Sequence, residues 1–337
     1  MTVFQHYSGK MTFKANWEKT DKQIQLKPET IASMASKAFP NVPLLSYEVL
    51  SQGCANLNIK IVLKSGTYNL RIYLRNREAA YREAHIASFM KFDIPIPEVF
   101  YIGDHTEDLT TYLYVITKFM EGIPLRDLLL NYPESNWQNI MVDVGAILSE
   151  FRRLSFPHAG FFDEHFNIPK PFQPKDLICH IDTCLSNQNV QKALGNAMLQ
   201  KLQDIFAKHS DYFPNESDAT LVHGDFDPAN ILVHRIDDTW RISAILDWEF
   251  AFAGSFLWDV ANMLRYAHHM PHCYQESFIK GIQEAGLELP ENWQKTVALL
   301  NLSSLLDILS RHSIQEHPKQ SQDISQLIKH HTSSLSA

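Results

Sequence analysis

The hydrophobic pattern of the chain changes once, and this change constrains the fold more than any other feature. Over the first 120 residues, short apolar runs alternate with turn residues, as is typical of β-strands, and helical segments interrupt them at 29–39 and 76–90. After Glu121–Pro124, long segments such as 135–154 carry apolar residues at helical spacing, and strand patterns return only between Thr220 and Asp247. A β-rich part followed by a helical part predicts an α+β fold, because a parallel α/β sheet would alternate regularly.

The glycine and proline within Glu121–Pro124 mark a break between these two parts. We therefore predict two lobes. Residues 1–121 would form a small β-rich lobe with an N-terminal helical extension, and residues 122–337 would form a larger, mainly helical lobe.

Composition excludes several classes of protein. The 337 residues are 45% hydrophobic, which is enough for a full core and for more than one domain. The net charge of -8 argues against a nucleic-acid binder. The N-terminus lacks the apolar region of a secretory signal, and no apolar run approaches the roughly 18 residues of a membrane span. With four cysteines and no CxxC pair, we expect a cytoplasmic protein with reduced thiols and no membrane partner.

The segment LVHGDFDPANIL, residues 221–232, places polar side chains in a loop between two short strands. Asp225 offers a carboxylate that can take or orient the proton of a hydroxyl. Asn230 offers a neutral oxygen to a magnesium ion that already carries phosphate oxygens, and Asp247 offers a second oxygen where a later strand ends. A single Asp or Asn in a loop is usually a turn residue or a helix cap. The combination, however, predicts phosphoryl transfer.

HGDFDPAN followed by ILDWEFAFAGSFLWDVA resembles the aminoglycoside phosphotransferase and choline kinase family, which shares the protein-kinase-like fold. The resemblance covers roughly residues 45–265 and implies a bilobal enzyme with the nucleotide between the lobes. It implies that Asp225 is the catalytic base or orients the acceptor hydroxyl, and that Asn230 and Asp247 bind magnesium. His223 would brace the catalytic loop, and Asp259 would accept hydrogen bonds from it.

The resemblance also implies a phosphate site in the first lobe. SQGCANLN, residues 51–58, stands where the family has its phosphate-covering loop, so Ser51 and Gly53 are expected near the phosphates. The family usually has a lysine on the third strand, paired with a glutamate on the next helix. Here Arg71 and Glu83 stand at those positions. Arginine keeps the positive charge of lysine, but it binds phosphate through two parallel N–H groups of a planar guanidinium.

The segment KFMEG resembles the family hinge that reads adenine through backbone groups. Aligning Gly122 with the family glycine puts Thr117 at the gate of the pocket. The backbone of Lys118 and Met120 would then face the base, and the side chains of Met120 and Ile245 would sandwich it.

The implied reaction moves the γ-phosphoryl group of ATP, with magnesium, to a hydroxyl of a small molecule, either an aminoglycoside-like antibiotic or an amino or hydroxy metabolite. Asp227 and Glu249 flank the catalytic positions and could attract a cationic acceptor or tune the metal. The phosphate loop has only one glycine, and Arg71 replaces the usual lysine. These two features leave open the hypothesis of a nucleotide-binding module without transfer activity. A protein kinase is disfavoured, because Gly224 replaces the arginine of protein kinases and the segment between Asp247 and Asp259 is short.

Overall fold

The structure is a computed structural model that describes residues 13–18, 26–52, 56–90, 94–107, 109–133, 137–215 and 218–336. Its first large unit is an antiparallel five-stranded sheet with strand order β1-β2-β3-β5-β4. The strands are β1 (Leu44–Gln52), β2 (Asn56–Leu63), β3 (Gly66–Tyr73), β4 (Val99–Glu107) and β5 (Thr110–Lys118). Helix α1 (Pro28–Ala38) precedes the sheet, and helix α2 (Arg77–Met90) lies between β3 and β4.

Strand β3 shows how the sheet directs its side chains to two faces. Leu70 and Ile72 are fully buried in the core that includes Ile31 and Met34 of α1. Tyr73 packs on the opposite face with Ala79 and Ala80 of α2. Because successive side chains of a strand alternate between faces, Arg71 lies on the α2 side of the sheet.

Two small sheets and a set of helices make up the rest of the chain. The sheets have strand orders β10-β9-β6 and β7-β11-β8. Their strands are β6 (Ile123–Pro124), β7 (Gly160–Phe161), β8 (Thr220–Val222), β9 (Ile231–Ile236), β10 (Thr239–Ile245) and β11 (Phe252–Gly254). The helices are α3 (Leu125–Asn131), α4 (Gln138–Phe151), α5 (Pro174–Leu185), α6 (Gln188–His209), α7 (Leu257–Leu264), α8 (His272–Glu284), α9 (Trp293–Arg311) and α10 (Pro318–Ser336).

The largest hydrophobic core joins the helices to both small sheets. It includes Trp137 and Phe151 around α4, Trp248 after β10, and the leucines of α9. Strand β6, which begins inside the segment predicted to separate the lobes, pairs with β9. The β-rich first part and helical second part confirm the α+β prediction, while the boundary between residues 121 and 122 stays a prediction. None of the described helices combines the length and apolar character that crossing a bilayer requires.

Candidate active site

One buried carboxylate, that of Asp259, accepts hydrogen bonds from the backbone of the loop between β8 and β9. Asp259, in the first turn of α7, accepts the backbone N–H of His223 at 2.8 Å and that of Gly224 at 3.0 Å. Burial raises the pKa of Asp259 to about 7, although the two N–H donors oppose that rise. The carboxylate thus satisfies two backbone donors that would otherwise be buried and unsatisfied.

His223 ties the same loop to the end of β10. Its Nδ1 accepts the N–H of Asp225 at 3.2 Å, so the proton must be on Nε2, which lies 2.9 Å from the carbonyl oxygen of Leu246. The side chain is fully buried, and burial lowers the pKa of His223, which keeps the ring neutral. A neutral ring of this tautomer links the loop to the segment that carries Asp247.

Gly224 is required by the backbone of this loop. Its φ is +80°, and a Cβ atom there would lie 2.3 Å from the carbonyl oxygen of Phe250. The carbonyl of Gly224 also accepts a hydrogen bond from Asn262 at 2.9 Å. Glycine therefore lets the loop pass close to the segment after β10.

Asp225, Asn230 and Asp247 lie together at one end of the β9–β10 pair, where β9 begins and β10 ends. The Asn230 amide donates to the backbone carbonyl of Asp225 at 2.8 Å and to its Oδ2 at 2.9 Å. Ile231 at the start of β9 pairs with Ile245 at the end of β10, so the residues just outside these strands emerge side by side. With its NH2 group turned to Asp225, Asn230 has its side-chain oxygen to offer a cation.

Arg71 connects the large sheet to this end of the β9–β10 pair. Its Nη2 donates to Asp247 Oδ1 at 2.7 Å and lies 3.6 Å from Glu249 Oε2. Its Nη1 lies 3.7 Å from Glu83 Oε2, so the predicted Arg71–Glu83 pair is present. The Glu249 carboxylate also accepts a hydrogen bond from Asn56 at 2.9 Å, so two residues of the large sheet contact it.

Glu83, Asp247 and Glu249 form an acidic cluster that one guanidinium does not neutralise. One oxygen of each carboxylate lies within 4.8 Å of the others. Burial, with the charge of Asp247, raises the pKa of Glu83 to about 7 and also raises the pKa of Glu249, while Arg71 opposes both shifts. Glu83 Oε1 is buried and has no hydrogen-bond partner among the described residues. This donor set fits a divalent cation with oxygen ligands.

The residues predicted to meet adenine have different surroundings. Thr117 and Met120 are half-buried at the end of β5 and just beyond it. The N–H of Lys118 is bonded to the carbonyl of Glu98 at 2.8 Å, so this donor is not free to meet a base. Ile245 is fully buried in the largest core, so the expected sandwich contact would require a neighbouring group to move.

Only part of the predicted phosphate loop lies within the described residues. The backbone of Ser51 pairs with Asn58 across β1 and β2. Gly53 lies outside the described residues, so its expected contact with phosphate stays a prediction.

Lys14 contacts two carboxylates of the candidate site, and sequence reasoning missed this contact. Its Nζ lies 2.9 Å from Asp225 Oδ1 and contacts Asp227 Oδ2. Burial opposes the charge of Lys14, but the two aspartates outweigh it and raise its pKa. Burial likewise favours a raised pKa for Asp225, but Lys14 outweighs it and lowers that pKa. A separation of 211 residues between Lys14 and Asp225 left no local signal in the sequence.

Comparison with known proteins supports the resemblance. Residues 46–298 match the phosphotransferase enzyme family. The chain is similar to hygromycin-B 4-O-kinase of Escherichia coli, with 27% identity over 195 residues. That match covers 52% of this chain and 49% of the relative, so the chain spans about half the length of the curated relative.

Solved structures share the fold along nearly the whole chain. A thermostable mutant of aminoglycoside phosphotransferase APH(4)-Ia, in ternary complex with AMP-PNP and hygromycin B, superposes with a TM-score of 0.67 at 20% identity, covering 91% of this chain and 97% of that one. The GDP and kanamycin complex of APH(2")-IIia gives a TM-score of 0.68 at 14% identity, covering 90% and 98%. These likenesses confirm the predicted kinase-like fold.

Proposed function

The chain belongs to the phosphotransferase enzyme family, and we propose that it moves the γ-phosphoryl group of ATP to a hydroxyl of a small molecule. The observation that carries the proposal is that Asp225, Asn230 and Asp247 lie together at one end of the β9–β10 pair. The Asn230 amide is 2.9 Å from Asp225 Oδ2, and the pairing of β9 with β10 brings Asp247 beside Asn230. A carboxylate beside two oxygen ligands is the minimum that this chemistry requires of a protein.

In this proposal Asp225 orients the acceptor hydroxyl. Its carboxylate is fixed by Asn230 on one oxygen, so the other oxygen, Oδ1, is the one that a hydroxyl would approach. Asp259 and His223 hold the loop and act through its position. Such catalysis depends mainly on placing the hydroxyl in line with the phosphoryl group.

Asn230 and Asp247 would hold magnesium, with Glu83 and Glu249 close enough to adjust the charge of the site. When bound, magnesium would neutralise negative charge on the phosphates of ATP. Arg71 would contribute its remaining donors to phosphate oxygens, since guanidinium matches their geometry. The phosphate loop that begins at Ser51 and the backbone of Met120 would complete the nucleotide site.

The acceptor is proposed to be a hydroxylated small molecule with a positive charge, because the carboxylates of Asp225 and Asp227 lie close enough together to contact one ammonium group. An aminoglycoside-like antibiotic and an amino-bearing metabolite both meet this description. The solved relatives are complexes with hygromycin B and kanamycin, which makes these compounds the first to test.

The proposal is tested by measuring ADP release from magnesium-ATP with hygromycin B, kanamycin, choline and other hydroxylated amines, for the wild type and Asp225→Asn. Acceptor-dependent release in the wild type alone supports the proposal. Equal release from both proteins contradicts it. ATP binding by calorimetry without release for any acceptor would favour the nucleotide-binding module.

A further inference from the structure

The segment Phe13–Glu18 lies against the candidate site, where its Lys14 contacts Asp225 and Asp227. We propose that the Asp225–Asp227 carboxylate pair is a subsite for an ammonium group, and that this segment fills it with Lys14, so that a cationic acceptor must displace the segment. The displacement by an acceptor rests on the proposed function, whereas occupancy by Lys14 does not.

The subsite has the chemistry that a primary ammonium requires. Asp227 Oδ1 accepts the N–H of Ala229 at 2.8 Å, which fixes the carboxylate and turns Oδ2 to Lys14. Asp225 Oδ1 lies 2.9 Å from the same Nζ. An ammonium has three donors on a compact charge, so one group can bridge both carboxylates. Asp227 is nearly buried, so removing the cation would leave an unneutralised charge with little access to water.

Three anchors outside the subsite hold the segment in place. Phe13 is only 3% exposed, and its ring packs edge-on against Tyr266 at a centroid distance of 5.6 Å. Trp17 Nε1 donates to Asp323 Oδ2 at 2.8 Å, an oxygen that also accepts the Tyr266 hydroxyl. The Glu18 carboxylate accepts the N–H groups of Lys319 and Gln320, in the first turn of α10. The segment is therefore docked on the second part of the chain.

Occupancy by Lys14 conflicts with the proposed role of Asp225. Asn230 holds Oδ2, and Lys14 holds Oδ1, so both oxygens already have a donor before any acceptor arrives. An acceptor hydroxyl needs the position next to Oδ1. The segment thus acts as an internal competitor, and the fraction of molecules with the subsite open would scale the apparent affinity for the acceptor.

Kinetics separate a competitor from a residue that assists the reaction. Lys14→Ala should lower KM for a cationic acceptor by about fivefold or more without lowering kcat. Trp17→Phe keeps an aromatic ring but removes the hydrogen bond to Asp323. Because it weakens one anchor of the segment, it should lower KM by less than Lys14→Ala does. Lys201→Ala, on the exposed face of α6, is the matched control. An unchanged KM in Lys14→Ala, or a collapse of its kcat, overturns the proposal.

Amine acetylation followed by mass spectrometry tests occupancy without relying on activity. With a limiting acetylating reagent, Lys14 should label at least about tenfold more slowly than Lys201, because its Nζ is held between two carboxylates. Asp227→Asn should speed the labelling of Lys14 and leave that of Lys201 unchanged. Equal labelling of Lys14 and Lys201 in the wild type overturns the proposal. Slow labelling of Lys14, with no acceptor-dependent transfer in the wild type or in Lys14→Ala, supports occupancy of the subsite while the proposed function fails.

Discussion

Arg71 Nη2 lies 2.7 Å from Asp247 Oδ1, so the cation of the third strand is bonded directly to a residue proposed to bind magnesium. The sequence predicted a pair between Arg71 and Glu83, but at 3.7 Å that contact is the looser of the two. The short contact joins the large sheet to the candidate active site. Arg71 therefore neutralises part of the negative charge of the acidic cluster.

Removing this guanidinium should destabilise the fold as well as the site. Arg71→Met should lower the free energy of unfolding by up to about 3 kcal/mol, because it leaves three partly buried carboxylates without their cation. Arg71→Lys keeps a positive charge but loses the planar guanidinium, so it should lower the free energy of unfolding by roughly half as much. Urea denaturation measures both values. A change below about 0.5 kcal/mol in Arg71→Met would show that the cluster is already solvated.

The backbone at Gly224 should tolerate no side chain. Gly224→Ala places a Cβ atom 2.3 Å from the carbonyl oxygen of Phe250 at a φ of +80°, so it should lower the free energy of unfolding by about 3 kcal/mol. Gly286→Ala is a matched control, since its φ is +79° and no atom lies within 4 Å of the added Cβ. That control should cost only about 1 kcal/mol, the cost of the left-handed backbone alone. Thermal or urea denaturation of both variants separates the cost of the left-handed backbone from the cost of the clash. Equal losses of unfolding free energy in the two variants would contradict the clash.

The ion pair between His180 of α5 and Asp307 of α9 should make stability depend on pH. The Asp307 hydrogen bond raises the pKa of His180 to about 10, from an ordinary value of 6.5. Because the folded-state pKa is the higher one, the contribution is complete below about pH 6.5 and is lost as pH rises through 10.

His180→Gln should therefore destabilise the protein by up to about 1 kcal/mol at pH 6, because the His180 side chain is half exposed, and by progressively less toward pH 10. Urea denaturation at both pH values gives the difference between variant and wild type. The exposed His158→Gln serves as the control, with an expected change within about 0.5 kcal/mol at either pH. A destabilisation by His180→Gln that grows with pH would contradict the ion pair.

Local pattern predicted much of the fold and the centre of the site. Alternating apolar residues identified strands such as β2 and β3, and strand exits placed Asp225, Asn230 and Asp247 together. These features depend on residues close in sequence or on neighbouring strands, which is why periodicity and turn chemistry reveal them.

The rest depends on contacts between distant parts of the chain. Lys14 reaches Asp225 through the docking of a short segment on the C-terminal helices, and no periodicity encodes that. Glu249 lies beside Arg71 because the segment after β10 turns toward α2, where Arg82 donates to its carbonyl. Ile245 is enclosed because β10 is buried at its end. Packing of this kind is decided by the whole fold.

The most direct test of the proposed phosphotransfer uses ATP labelled in the γ-phosphoryl group and follows the label into the acceptor that gives ADP release. Asp225→Asn keeps the shape of the side chain but removes the carboxylate, so transfer should fall by at least about 100-fold while ATP binding by calorimetry stays within a few fold. Asp211→Asn, at an exposed position, should behave as the wild type. Transfer by Asp225→Asn within threefold of the wild type would contradict the assignment of Asp225 and, with it, the proposed reaction.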